Sequence, residues 1–202
     1  MTLTSHAALA MAAAFALSAC GEAVAPAPAP APASAAAPAT PPVDAAVPAP
    51  ASAEGGLAIE GEGLRLFTAS GSARPIPFGA PQADVLAAVT RAVGGAAPAV
   101  TTNGECGAGP VQFAPFANGL NLAFQDGRFA GWFLDKPGPT TVDGVGVGTP
   151  RAALDDARTI EIVPDSTLGV EFRSGDLGGF LTAAGADGTV ESLYAGLTCF
   201  FR

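Results

Sequence analysis

IPFGAPQADVLAAVTRAV, residues 76–93, and VGVGTPRAALDDA, residues 145–157, begin alike. Each opens with a short β-prone run, then a glycine, a small residue and a proline, and continues in a helical pattern. In the first, Val85, Leu86, Val89 and Val93 recur at the spacing of one helix face. Gly94-Gly95 follows as a stop signal. In the second, shorter pattern the apolar positions are Leu154 and Ala157, and Thr149 is suited to cap the helix start. Both prolines fall at the expected first helical turn, where a missing N–H does no harm.

Each of these stretches is followed by a hairpin signal. Leu120 to Leu134 turns about Asp126-Gly127, and Phe180 to Tyr194 about Asp187-Gly188. Asp-Gly is a preferred pair for a two-residue type I′ turn. Residues 57–68, LAIEGEGLRLFT, add an opening strand. The pattern predicts an α+β fold of two tandem strand-helix-hairpin repeats, about 57–136 and 137–202, with the helices packed on one face of an antiparallel sheet.

The first hairpin permits a register. A two-residue turn pairs Gln125 with Arg128 and Phe124 with Phe129. Regular counting then sets Leu122 against Gly131 and Leu120 against Phe133 on the core face. Ala123 and Ala130, and Asn121 and Trp132, fall on the other. Side chains alternate strictly, so this register decides which residues meet solvent. It makes Trp132, Asn121 and Arg128 partner-binding candidates, since tryptophan and arginine are enriched at binding hot spots. The alternative is that Trp132 packs under the opening strand or a neighbouring loop. Aligning the repeats through their Asp-Gly turns sets Leu193 at the Trp132 position.

Upstream of residue 56 the character changes. Residues 22–53 are almost entirely Ala and Pro, with PAPAPAPA at 26–33. Such a chain favours extended polyproline II. At ~3.1 Å per residue it could reach on the order of 100 Å, a spacer ahead of a globular domain at 56–202. Residues 7–17, AALAMAAAFAL, are apolar but shorter than the roughly 20 residues a membrane span needs. They fit the apolar stretch of a secretory signal.

That run ends in Leu17-Ser18-Ala19-Cys20-Gly21, which resembles the bacterial lipobox. The resemblance implies a lipoprotein signal peptide over 1–19, lipidation of Cys20, and a Pro/Ala-rich tether over 20–55. With Gly21 rather than Asp after the cysteine, it implies the outer membrane, facing the periplasm. The n-region, MTLTSHAA, departs from the family pattern in having no Lys or Arg. Over residues 74–202 the duplicated run of short strand, glycine, small residue, proline, helix and Asp-Gly hairpin resembles the β-lactamase-inhibitor-protein type of repeat. It is also similar to the small lipoproteins of the outer-membrane β-barrel assembly machinery. Those relatives imply a noncatalytic binding module that presents a sheet face. No functional residue carries over from them.

Composition narrows the chemistry. The formal net charge is −9, with only 9 Lys and Arg residues. Nucleic-acid affinity rests on cations that neutralise phosphates, so no nucleic-acid partner is expected. Besides Cys20 there are Cys106 and Cys199, read as one disulfide of an exported domain. The alternative is two buried free thiols. No histidine follows His6, which leaves no residue for a Ser-His-Asp or Cys-His nucleophile system or an imidazole metal site. No metal and no cofactor is expected. Carboxylates stand near one another at Glu60/Glu62, at Asp155/Asp156, and at Glu171 and Asp176, and some hydrolases work with two carboxylates alone. The expectation is an envelope lipoprotein whose domain binds a protein or cell-wall component. The alternatives are a periplasmic carboxylate-based hydrolase and a structural lipoprotein without a specific ligand.

Overall fold

The structure, a computed structural model, describes residues 56–200. These all lie in one compact unit. Cys20, the apolar leader and the Ala/Pro segment fall outside the described residues.

The opening stretch is a hairpin, β1 (Leu57–Glu60) and β2 (Gly63–Phe67), followed by β3 (Ala73–Pro77) and α1 (Gln82–Val93). Then come β4 (Thr101–Asn103), β5 (Val111–Pro115), β6 (Leu120–Gln125) and β7 (Arg128–Leu134). The second half runs α2 (Arg151–Ala157), β8 (Glu161–Ile162), β9 (Val170–Ser174), β10 (Leu177–Leu181) and β11 (Val190–Gly196). The strands form two antiparallel sheets, β1-β2-β3 and β4-β5-β6-β7-β11-β10-β9-β8.

This corrects the α+β expectation. Among the described residues the fold is mostly β, with helices of only 12 and 7 residues beside sheets of 3 and 8 strands. The expected unit of strand, helix and hairpin becomes a helix followed by a four-stranded antiparallel meander. The single opening strand expected over 57–68 is a hairpin, the β-prone run at 145–147 forms no strand, and strands β4, β5, β8 and β9 are additional to the expectation. These four are two to five residues long, too short for alternation to stand out from loop sequence. The α2 helix buries only Leu154.

The segments with the shared Gly-x-Pro pattern do the same structural job. Gly79 N–H donates to Phe129 O (2.7 Å), Phe129 N–H to Ala80 O (2.8 Å) and Gln82 N–H to Gly127 O (2.9 Å). In the second half Gly148 N–H donates to Val190 O (2.7 Å), Val190 N–H to Thr149 O (2.8 Å) and Arg151 N–H to Gly188 O (2.8 Å). Each helix is thus tied at its start to the strand that ends its own meander. Pro81 and Pro150 occupy the N-cap itself, with extended backbone (ψ 134 and 148). Thr149 is not the cap; its Oγ1 accepts from Gly146 N–H at 2.9 Å.

The second hairpin is also corrected. Thr182 N–H donates to Thr189 O at 3.0 Å, so Asp187-Gly188 lies inside a longer loop. The two-residue turn of that half is Gly175-Asp176, where Ser174 pairs with Leu177. Local preference for an Asp-Gly turn yields there to the hydrogen bond that Gly188 O accepts from the start of α2.

One core joins these parts. Ile59, Leu64 and Ile76 of the small sheet, Val85 and Val89 of α1, and Leu154 of α2 pack against Leu122, Phe124, Phe129, Trp132, Phe172 and Leu193 of the large sheet. Each such side chain contributes about 1.5–3 kcal/mol on burial.

Candidate functional site

The face of the large sheet turned away from this core is set by two bulges. In the first hairpin Gln125 pairs with Arg128 and Phe124 with Phe129. The register then shifts, so Ala123 faces Gly131, Leu122 faces Trp132, Asn121 faces Phe133 and Leu120 faces Leu134. Ala130 is the extra residue. A bulge exchanges the two faces for everything beyond it. Strand β11 does the same at Glu191, between the pairs Phe180–Ser192 and Leu181–Val190.

The regular register is therefore corrected at Trp132, and the alternative reading, packing under the opening strand, is the one the structure bears out. Trp132 is 0% exposed, in the core, and its indole N–H donates to Glu60 O at 2.9 Å beneath the opening hairpin. Asn121 lies across the sheet on the outer face, half-buried. Arg128 is at the hairpin tip, where Nη1 donates to Gly79 O at 2.9 Å. The structure does not bring these three together. The signal that could have found the bulge is in the sequence: Phe129, Trp132 and Leu134 can share one face only if a residue between the first two is looped out.

Matching the two meanders by their pairings aligns their outer faces. Phe113, Asn121, Ala123 and Phe133 of the first correspond to Glu171, Gly178, Phe180 and Tyr194 of the second. In the second half the middle of the face is covered by an aromatic side chain. Tyr194 lies across Gly178, where an added Cβ would meet the ring at 2.2 Å. Its hydroxyl donates to Glu171 Oε1, and Ser166 Oγ donates to Glu171 Oε2 at 2.7 Å. Glu171 is fully buried. A buried carboxylate needs such donors to offset its desolvation.

Beyond β11 the chain folds back over this face as a strap, 197–200. The turn is made at Gly196, whose φ of +70 suits glycine, and Leu197 N–H donates to the carbonyl of the bulged Ala130 at 2.8 Å. Cys199 is joined to Cys106 by a disulfide (Cα–Cα 5.3 Å). Phe200 sits edge-on among Phe133, Phe180 and Tyr194, with ring centroids 5.8, 5.6 and 5.1 Å away. These separations suit aromatic edge-to-face contacts.

Between strap and sheet, in the first half, is a pocket of about 270 Å³ lined by Phe113, Asn121, Ala123, Phe133, Thr198 and Phe200 among others. Among the described residues no charged side chain lines it. Asn121 Oδ1 is buried and has no hydrogen-bond partner among the described residues. A more polar cleft of about 720 Å³ lies where Glu62, Phe78, Arg173, Asp176 and Tyr194 meet.

The carboxylates noted in the sequence are dispersed. Glu60 pairs with Arg65 (3.1 Å) and Asp155 with Arg151 (2.8 Å), while Glu62 and Asp176 line the polar cleft. Among the described residues no group of three or more His, Cys, Asp or Glu side chains is placed to hold a metal ion. One carboxyl is tuned. Burial alone would raise Asp143, but hydrogen bonds from Arg158 and Thr141, with the Arg158 charge, hold it below its ordinary 3.8. Arg158 Nη2 lies 2.7 Å from Asp143 Oδ1.

No protein-family model and no curated protein matches the chain. Among solved structures it is similar to the uncharacterized protein yfeY from Escherichia coli, at 14% identity over 72% of this chain and 100% of that chain, with a TM-score of 0.43.

Proposed function

We propose that the chain is an envelope lipoprotein, anchored through Cys20, whose domain is a noncatalytic module binding a protein or cell-wall component. The observation that carries the reading is Leu17-Ser18-Ala19-Cys20 at the end of an apolar leader, followed by the Ala/Pro spacer. The Cys106–Cys199 disulfide supports it, because such bonds persist in oxidising compartments outside the cytosol. The outer sheet face, with its strap and its pocket walled by Phe113, Phe133 and Phe200, offers the domain a surface for a partner.

The test is acylation in a bacterial host. With an alkyne-bearing palmitate, the chain is expected to take up label, sediment with membranes and yield an N-terminal peptide that begins at modified Cys20. Cys20→Ser abolishes all three. Unmodified Cys20 in protein from the soluble fraction overturns the anchor. For the binding half, a photoreactive residue at Thr198 is expected to give a discrete crosslinked product in the envelope, and one at Arg91 none. No product from either position sinks the partner and leaves a structural lipoprotein.

A further inference from the structure

The cleft of about 720 Å³ is formed by the tip of the β1–β2 hairpin, the end of β3, the β9–β10 turn and the start of the strap. A Cβ added at Gly61 would lie 3.0 Å from that of Asp176, so the hairpin tip touches the turn and brings Glu62 and Asp176 to one rim. A Cβ at Gly196 would meet the Phe78 ring at 2.8 Å, and this close approach sets Phe78 beside Tyr194 in the cleft wall. Three charged side chains line the cleft, Glu62, Asp176 and Arg173, and all three are exposed. None of them is in an ion pair among the described residues, although charges elsewhere do meet, as Glu60–Arg65, Arg151–Asp155 and Asp143–Arg158. Arg173 even has an acid opposite it, Glu161, in the β8–β9 register. Opposite charges so placed attract, yet the Arg173 side chain lines the cleft without pairing with Glu161.

We infer that this cleft binds the free C-terminal end of a peptide whose last residue is of lysine type, with an ammonium group and a carboxylate joined by an aliphatic stem. The inference deepens the reading of the domain as a binding module and rests on that reading. Glu62 and Asp176, gathered at one rim, can share the three N–H donors of a single ammonium. The planar fork of Arg173 matches a carboxylate with two parallel bonds. Arg173 pairs with Gly178, one step beyond the Ser174–Leu177 pair that flanks Asp176, so both ends of the ligand are met in the same cleft. Phe78 and Tyr194 give the stem an apolar wall. A ligand with only negative charge would face two carboxylates against one guanidinium, and one with only positive charge would leave Arg173 unanswered. The volume lies within the range of small-molecule sites.

The experiment titrates four probes into the oxidised full chain carrying Cys20→Ser, followed by NMR. Alanyl-lysine carries both groups, alanyl-norleucine lacks the ammonium, alanyl-lysine amide lacks the carboxylate, and free lysine adds an α-ammonium. Alanyl-lysine is expected to give saturable shifts at the amides of Glu62, Arg173 and Asp176. Alanyl-norleucine and the amide should each bind about fivefold more weakly, the upper end for a solvent-exposed ion pair. Glu62→Gln with Asp176→Asn is expected to level alanyl-lysine and alanyl-norleucine, and Arg173→Gln to level alanyl-lysine and its amide. These side chains are exposed, so the fold, checked by the rest of the spectrum, should persist in each variant. Free lysine should bind more weakly than the dipeptide, because its α-ammonium falls beside the Arg173 guanidinium; equal or tighter binding overturns the peptide end as the source. The inference is also overturned by shifts that do not saturate or do not centre on the cleft, or by either preference surviving its own variant. If all four titrations fail while Cys20 is acylated and Thr198 still crosslinks, the peptide-end site is lost and the binding module stands.

Discussion

The two meanders of the large sheet carry matching devices. Each follows a helix tied by its Gly-x-Pro segment to the last strand, and each has one bulge there, at Ala130 and at Glu191. Both bulges turn a large residue, Trp132 or Leu193, into the core and leave an aromatic one, Phe133 or Tyr194, outside. The halves differ in what covers that outer aromatic. The second sets Tyr194 against its own Glu171 and also meets the strap, with the Phe200 ring 5.1 Å from that of Tyr194. The first has the strap without such a side-chain network; the strap comes from the end of the second half and is held by a disulfide. The comparison separates what the backbone repeat dictates, the direction each side chain points, from what individual residues decide, how the face is covered.

The largest way to break the comparison is to cut the staple between the halves. Cys106 and Cys199 are 93 residues apart in sequence. A loop of that length corresponds to about 4–5 kcal/mol in the chain-entropy model. Cys106→Ser with Cys199→Ser is expected to lower unfolding free energy by about that amount in denaturant titrations, with strap amides 197–200 exchanging faster than those of β9 and β10. Equal protection of strap and strands in the double variant would show that the aromatic contacts of Phe200 alone hold the strap.

The bulge makes the next prediction. Trp132→Ala opens a core cavity and removes the indole donor to Glu60 O, for a loss of about 3–5 kcal/mol. Asn121→Ala, one strand away on the outer face, should change stability by less than about 0.5 kcal/mol. A regular register reverses this order. Trp132 emission in the intact domain should be blue-shifted and protected from iodide; red-shifted, quenchable emission contradicts the bulge.

How the halves could be read from sequence follows from the same contrast. The paired Gly-x-Pro segments, the Asp126-Gly127 turn with Asp126 at φ 51, and the adjacent pairs Gln125–Arg128 and Phe124–Phe129 depend on neighbours and were legible. Beyond Ala130 the two-residue period no longer applied, because one looped-out residue transfers every later side chain to the other face. That error moved Trp132 out of the core and hid Phe133. Asp187-Gly188 misled for another reason: a tertiary hydrogen bond from Arg151 N–H outweighed local turn preference. The outer pocket was legible only through Asn121, since its other walls, Phe113, Phe133 and Phe200, come from three separate stretches whose proximity depends on pairing and on the disulfide.

The covering of the second half by Tyr194 is tested at Gly178. Gly178→Ala places a Cβ 2.2 Å from the Tyr194 ring, which must leave its bond to Glu171. Overpacking of this kind is expected to cost about 2 kcal/mol. The aligned site in the first half already carries Asn121 without such a conflict. If Gly178→Ala is neutral in thermal unfolding, Tyr194 has another way to reach Glu171, and this half is less tightly specified than its contacts imply.

The smallest effect concerns how each half begins. Asp143 holds Arg158 ahead of and behind α2. Arg74, at the aligned place within β3, makes no ion pair among the described residues. The Asp143 carboxyl is depressed below 3.8 in the folded chain, so the folded state binds its proton less readily than the unfolded one. Its contribution is therefore complete at neutral pH and lost as the pH falls from the ordinary value through the folded one. The group is part-exposed, which screens the pair and limits it to less than about 1 kcal/mol. Asp143→Asn should lower the urea midpoint slightly at neutral pH, with the gap from the unaltered chain closing as pH drops below about 4. Arg74→Gln should show neither the loss nor the pH dependence. A gap for Asp143→Asn that is constant down to the acid limit would assign its effect to the Thr141 and backbone hydrogen bonds rather than to the Arg158 charge.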